Sequence, residues 1–214
     1  MDIFNSLINF FQTGGVFMYP ILFVLGLGTA IALERYIVIS KSQLSMRRTW
    51  GRLLPLLESH DYKGAMQQMK GSRSQLSIVL TYGFNRLSTA QRRDDIEAAM
   101  EEGMMEVMPP LEARTHYLAT FANIATLLGL LGTIIGLIEA FTAVANADPA
   151  EKADLLSASI SVAMNTTAFG LIAAIPLLLM HTVIQTKTSK LVDALEMAAV
   201  KCLNIVTLKK KASA

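Results

Sequence analysis

Thr133 and Thr167 each carry one hydroxyl into a long apolar stretch, LLGLLGTIIGLIEAF (127–141) and NTTAFGLIAAIP (165–176). A hydroxyl both donates and accepts a hydrogen bond. A facing pair can therefore hold a carboxyl group in either protonation state, or replace part of a sodium ion's hydration shell. Both ions stay open at this point. At about 100° per residue on a helix, Ala122, Thr126, Gly129, Thr133, Gly136 and Ala140 share one stripe, and Ala163, Thr167, Gly170 and Ala174 share another. Small residues let helix backbones approach closely in lipid, where no hydrophobic effect drives association. Gly129, Gly132, Gly136 and Gly170 are read as packing positions. Asn165, with Ser157 and Ser161, forms a second polar line that serves as helix glue, and Thr166 stands between the two faces as a third candidate for the ion path. The plainer reading has each threonine hydroxyl bonded back to a carbonyl one turn earlier.

Other chemistry is sparse. Glu139 lies toward one end of its apolar stretch, and no carboxylate stands near the middle of either. Proton relays through bilayers generally use Asp, Glu or His, so an acid at mid-membrane has to come from a partner. His181, about four turns beyond Thr167 on the same face, is a candidate proton exit group because imidazole titrates near neutrality. His116 is a second, and a passive interfacial role is the alternative for both. The residues carry no metal-ligand spacing, nucleophile elbow or phosphate loop. The glycines of GLLGTIIG lie in an apolar run without a following Lys. No catalytic residue, cofactor or metal is expected, and the twelve methionines read as packing filler.

The elements that must position the threonines follow from composition. The chain is 52% hydrophobic and 17% charged, with a mean hydropathy of +0.43, too apolar for an ordinary soluble domain. Three stretches are long enough to cross a hydrocarbon core of about 30 Å. Of the 19 Lys and Arg residues, only Lys152 falls outside 35–114 and 187–211. That bias predicts an outer N-terminus and a cytoplasmic C-terminus. The resulting segments are a periplasmic or interfacial start (1–15), a first span (16–39) and a cytoplasmic helical domain (40–114). A second span (115–145), a short periplasmic turn (146–154), a third span (155–186) and a basic cytoplasmic tail (187–214) complete them. Asp2 to Gln12 suits a helix lying flat in the interface. Within the cytoplasmic domain, helices are predicted over Leu44–Leu57, Tyr62–Met69, Gln75–Leu87 and Ala90–Met108. The fold class is an all-α membrane protein with three transmembrane helices, the second and third extending into the cytoplasmic domain. Acids interleave the basic residues and no reading module is present, so nucleic acid is not an expected partner. The first 30 residues hold no Lys or Arg, which leaves no basic leader region and predicts a retained N-terminus. Glu34-Arg35 reads as an interfacial anchor or a local ion pair, and the lone Cys202 has no internal partner.

LLGLLGTIIGLIEAF and NTTAFGLIAAIP, with GGVFMYP and ALERY near the start, resemble the MotA/TolQ/ExbB proton-channel family over nearly the whole chain. Three spans and a moderate cytoplasmic domain are similar to its ExbB and TolQ branch. The resemblance implies a homopentamer in a bacterial inner membrane around a dimer of single-span ExbD/TolR-like subunits. It also implies a partner Asp that meets the Thr133 and Thr167 rings, ion flow that drives motion of the partner, and a TonB-like transducer as a further contact. Outer-membrane import or another envelope process is the implied client. A flagellar-type stator, or a scaffold that conducts nothing, is the alternative. Two positions depart from the family pattern: Val162 stands where relatives often carry Glu, and Thr126 where they often carry Pro.

Overall fold

The computed structural model describes residues 10–11, 13–72, 74–87, 89–90 and 92–212. Among them the main elements are helices: α1 (Met18–Glu58), α2 (Tyr62–Lys70), α3 (Gln75–Arg86), α4 (Arg93–Glu112), α5 (Thr115–Asn146) and α6 (Lys152–Ala212). The fold is all-α, and α1, α5 and α6 carry three stretches long and apolar enough to cross a membrane. Contacts divide the chain into two units. One takes residues up to Glu34 with Arg114–Val183, the other Arg35–Ala113 with the chain from Ile184 onward. The interfacial helix expected over Asp2–Gln12 lies outside the described residues apart from Phe10 and Phe11.

In the first unit the helices meet through small residues. Ala122 and Ala125 of α5 and Ala173 and Ala174 of α6 are buried with Ile21 of α1 and Leu177 of α6. Only 22–28% of these apolar stretches is buried within the chain. The remaining Leu, Ile and Phe side chains, among them Leu127, Ile134, Ile138, Phe141, Ile172 and Leu179, are exposed and call for lipid or neighbouring helices. Gly15 turns the chain at φ 77 just before α1, a left-handed backbone that glycine adopts without steric cost. The segment before it packs on α6 through Phe10 and Phe11, whose rings stand edge-on to Phe169 at 6.3 and 5.8 Å.

The second unit has a larger core. Ile39, Met46, Leu53 and Leu57 of α1 repeat at helical spacing, as do Leu191, Leu195, Ala198 and Cys202 of α6, and Ile96, Met100, Met104, Val107 and Leu111 of α4 join them. The main departures from the predicted boundaries lie in α1 and α4, the latter beginning at Arg93, not Ala90. The helix predicted to begin at Leu44 is the continuation of α1, which runs without a break to Glu58. Ser40 to Gln43 change the polarity of the chain, yet none of them breaks a helix. The predicted end at Met108 is passed: α4 continues through Pro109 and Pro110 to Glu112. The prolines withhold the N–H groups that the Met105 and Glu106 carbonyls would otherwise receive, one turn before the end, and the end carbonyls beyond them take other partners.

Arg35 is one such partner. Its buried guanidinium donates to the carbonyls of Pro110 (3.1 Å) and Ala113 (3.0 Å) and so caps α4 from α1. In the first unit Glu34 accepts from Arg114 at 3.2–3.3 Å. The two neighbours read from sequence as an anchor or a local ion pair thus each reach a distant partner, from helix faces about 100° apart. Only Ala113 and Arg114 stand between α4 and α5, with Arg114 at φ 63.

Candidate ion-path site

The two threonines meet because glycines on both helices let the backbones approach closely beside them. A Cβ on Gly129 would lie 3.2 Å from the Thr167 Cα and 3.3 Å from the Gly170 Cα, and one on Gly170 would lie 2.7 Å from the Ala125 carbonyl. The backbones of α5 and α6 are in contact there. Two turns along, a Cβ on Gly136 would come within 2.9 Å of the Ala163 Cβ. A Cβ on Gly132 would come within 3.0 Å of the Thr166 Cβ. All four glycines named from the sequence therefore line one crossing.

Thr133 Oγ1 and Thr167 Oγ1 stand 3.0 Å apart across it. Thr133 Oγ1 also donates to the Leu130 carbonyl (2.7 Å) or the Gly129 carbonyl (3.3 Å), and Thr167 Oγ1 reaches the Gly129 carbonyl at 2.8 Å. The back-bond of the plainer reading is made by Thr133 beside the cross-helix pair, whereas the Thr167 hydroxyl turns to a carbonyl of α5. With both protons on carbonyls, the pair offers oxygen lone pairs to a protonated acid or a cation. With a proton rotated outward, it offers a donor to a carboxylate. Both threonines are half-buried at the edge of the packed stripe, with Leu130 and Ile134 exposed beside them.

Thr166 is placed differently from its expected position between faces. It is 2% exposed at the centre of the packed face. Its hydroxyl donates to the Gly14 carbonyl (2.6 Å) or the Val162 carbonyl (3.0 Å). It fastens the Gly14-Gly15 turn to α6, a contact for which the sequence offers only the glycine pair as a signal. Asn165 reaches the same segment, its Nδ2 standing 3.5 Å from Thr13 Oγ1. Val162 faces the turn as well, its Cγ1 3.1 Å from where a Cβ on Gly15 would stand.

The remaining candidates lie apart. His181 is half-buried on α6, about 21 Å along the axis from Thr167. His116 stacks beside Tyr117 at 4.4 Å. Glu139 is exposed. Among the described residues no group of His, Cys, Asp and Glu could hold a metal ion. What the crossing offers is a pair of neutral, reorientable hydroxyls at the edge of a close helix contact.

A family model described as the MotA/TolQ/ExbB proton channel family matches residues 72–197. Among similar proteins, a biopolymer transport protein ExbB homolog of Methanothermobacter thermautotrophicus is 28% identical over 92% of this chain and 69% of its own length. An ExbB-like 3 biopolymer transport protein of Synechocystis is 28% identical over 82% of this chain and 83% of its own. The Tol-Pal system protein TolQ of Haemophilus influenzae is 33% identical over 54% of each chain.

Proposed function

Because the chain belongs to the MotA/TolQ/ExbB proton channel family, within its ExbB and TolQ branch, we propose that it is the multi-span subunit of a bacterial inner-membrane motor. In this reading several copies, five by family likeness, surround a dimer of single-span ExbD/TolR-like subunits and couple proton-motive force to their movement. The N-terminus is periplasmic and the C-terminus cytoplasmic, as the placement of Lys and Arg supports. The movement energises outer-membrane import or a related envelope process, with a TonB-like transducer as a further contact.

The observation that carries the proposal is the Thr133–Thr167 hydroxyl pair, 3.0 Å apart and inside the matched segment. The spans bring no acid of their own to mid-membrane. An Asp on the partner helix supplies the charge, and the hydroxyl pair stabilises it in either protonation state as protons load and leave. Thr166 belongs to the wall behind the path, since its hydroxyl is committed to backbone carbonyls. His181 is an exit group on the cytoplasmic side.

Proton flux into vesicles that hold the complex with its single-span partner tests this. Thr133→Val and Thr167→Val keep side-chain shape and remove the hydroxyl. Each should lower flux by roughly tenfold or more, the loss expected when a hydrogen bond to a charged group goes. The Ser variants should retain it. Full flux in both Val variants, with the complex assembled, would overturn the assignment.

A further inference from the structure

The second unit segregates its charge by helix. From Tyr36 to Leu57, α1 carries four cations and no acid, and from Asp94 to Glu112, α4 carries seven acids and no cation. Among the described residues, Lys41, Arg48, Arg52, Glu101 and Glu196 form no ion pair within the subunit, and Glu97 has only Arg93 at 4.0 Å. Each charge set surrounds exposed apolar surface. On α1 it is Leu44, 48% exposed, in a cleft with Lys41, Arg48 and Arg52. Between α4 and α6 it is a groove of about 330 Å³ floored by methionines, rimmed by Glu97, Glu101 and Glu196, with Met105 73% exposed.

The two surfaces match in spacing and in level. Leu44, Arg48 and Arg52 advance by four residues each, and so in reverse do Met105, Glu101 and Glu97. Three contacts fix how the helices run. Arg35 of α1 holds the carbonyls at the end of α4. Lys187 of α6 donates to Ser40 Oγ (3.3 Å) and lies 3.7 Å over the Tyr36 ring. Arg93, opening α4, donates to Asn204 of α6 at 2.8 Å. So α4 runs opposite to α1 and α6. Counting about 1.5 Å per residue from these contacts, Leu44, Arg48 and Arg52 stand within about 3 Å of the heights of Met105, Glu101 and Glu97. Copies related by rotation about an axis along the helices keep their heights, so residues at equal height can meet between neighbours.

We propose that adjacent copies of this chain join here, with Leu44 of one copy seated at Met105 of the next and Arg48 and Arg52 opposite Glu101 and Glu97. The contact is heterologous, since two different faces of the same subunit meet, and repeating it closes a ring. Charge complementarity selects the neighbour and fixes its height. The inference rests on the oligomer assumed in the proposed function and locates its contact outside the spans.

The test uses full-length chains in membranes with the partner subunit. One tagged copy carries Leu44→Cys and a differently tagged copy Met105→Cys, both at exposed positions. A short bis-maleimide should join the two tags roughly tenfold above either cysteine expressed alone. Arg48→Glu should weaken association by roughly tenfold, the range of close interfacial charge pairs. Adding Glu101→Arg to it should restore assembly. An oligomer that persists with no mixed cross-link and no effect of Arg48→Glu would overturn this interface, assign the acidic groove to a different basic partner and leave the channel reading intact. A chain that is monomeric in the membrane would overturn both.

Discussion

At the scale of single residues, burial turns side chains of ordinary chemistry into fixed parts. Arg35 is 6% exposed, and its guanidinium holds the Pro110 and Ala113 carbonyls. Arg35→Met keeps the length and apolar stem but leaves two end carbonyls without that donor. The expected loss is about 1.5–3 kcal/mol of stability, read from denaturant unfolding of the purified protein followed by a probe in the second unit. Cys202 is the reverse case, a group silenced by burial. Its thiol, fully covered in the second core, is pushed up to about 12 from 9.0. Thiolate is the reactive form, so alkylation at pH 8 should be slow in the folded protein and fast after unfolding. Between pH 9.0 and about 12 the folded chain keeps a proton that the unfolded chain releases. Stability should therefore fall as pH rises through that window, by up to about 1.4 kcal/mol per unit, and Cys202→Ala should flatten the slope. Below the window the thiol contributes no pH dependence.

At the scale of elements, stops and crossings decide the architecture, and they differ in how far sequence reveals them. α1 ends in a pair of bonds typical of a left-handed terminus: His60 N–H donates to the Leu57 carbonyl (3.1 Å) and Asp61 N–H to the Leu56 carbonyl (2.9 Å), with His60 at φ 60. Glycine adopts that backbone without steric cost. His60→Gly should therefore stabilise the second unit by about 1 kcal/mol, with a higher unfolding midpoint despite the loss of the exposed His60–Tyr62 contact at 3.2 Å. Gly170→Ala should do the opposite. Its Cβ would meet a backbone oxygen 2.7 Å away, which cannot rotate aside. Separation of α5 and α6 costs about 1–3 kcal/mol, visible as easier unfolding in mixed detergent and as loss of a cross-link placed across the pair. The break at Ser59-His60 was legible because polar residues interrupt an apolar period there. The continuity of α1 through Ser40 was not, because a change of polarity marks a change of surroundings and leaves the backbone free to stay helical. Nor was the passage of α4 through Pro109, since the residue that caps its end is Arg35, more than seventy positions away in sequence.

At the scale of the whole molecule, the sequence carried the class of the fold and the two hydroxyls that meet at the α5–α6 crossing, since apolar length and small-residue stripes are local signals. It could not carry the role of Thr166, because nothing within a few residues of that position says that the Gly14 carbonyl comes to meet it. The proposed ion path depends on where the carboxylates lie. α5 and α6 supply hydroxyls and close packing, while the carboxylates on these helices stand away from the pair, Glu139 and Asp154 toward the Asn146–Lys152 turn and Asp193 and Glu196 far along α6 beyond the apolar stretch. A hydroxyl ring without an acid has nothing to protonate, and a proton without a titrating site meets the full cost of an unpaired charge in hydrocarbon. Vesicles holding this chain alone should therefore be as tight to protons as vesicles with no protein, even where the chain is fully assembled. Adding the single-span partner should open the flux, and replacing the Asp in that partner's membrane helix with Asn should close it again while the complex stays intact. Val162→Glu then separates two accounts of the pathway. That position faces the Gly14-Gly15 turn at the packed side of α6, away from the Thr133–Thr167 pair. A new acid there should leave the chain alone tight and the complex conducting only with the partner's Asp. Flux through Val162→Glu vesicles without a partner would show that the conducting route runs behind α6, along the face that Thr166 closes.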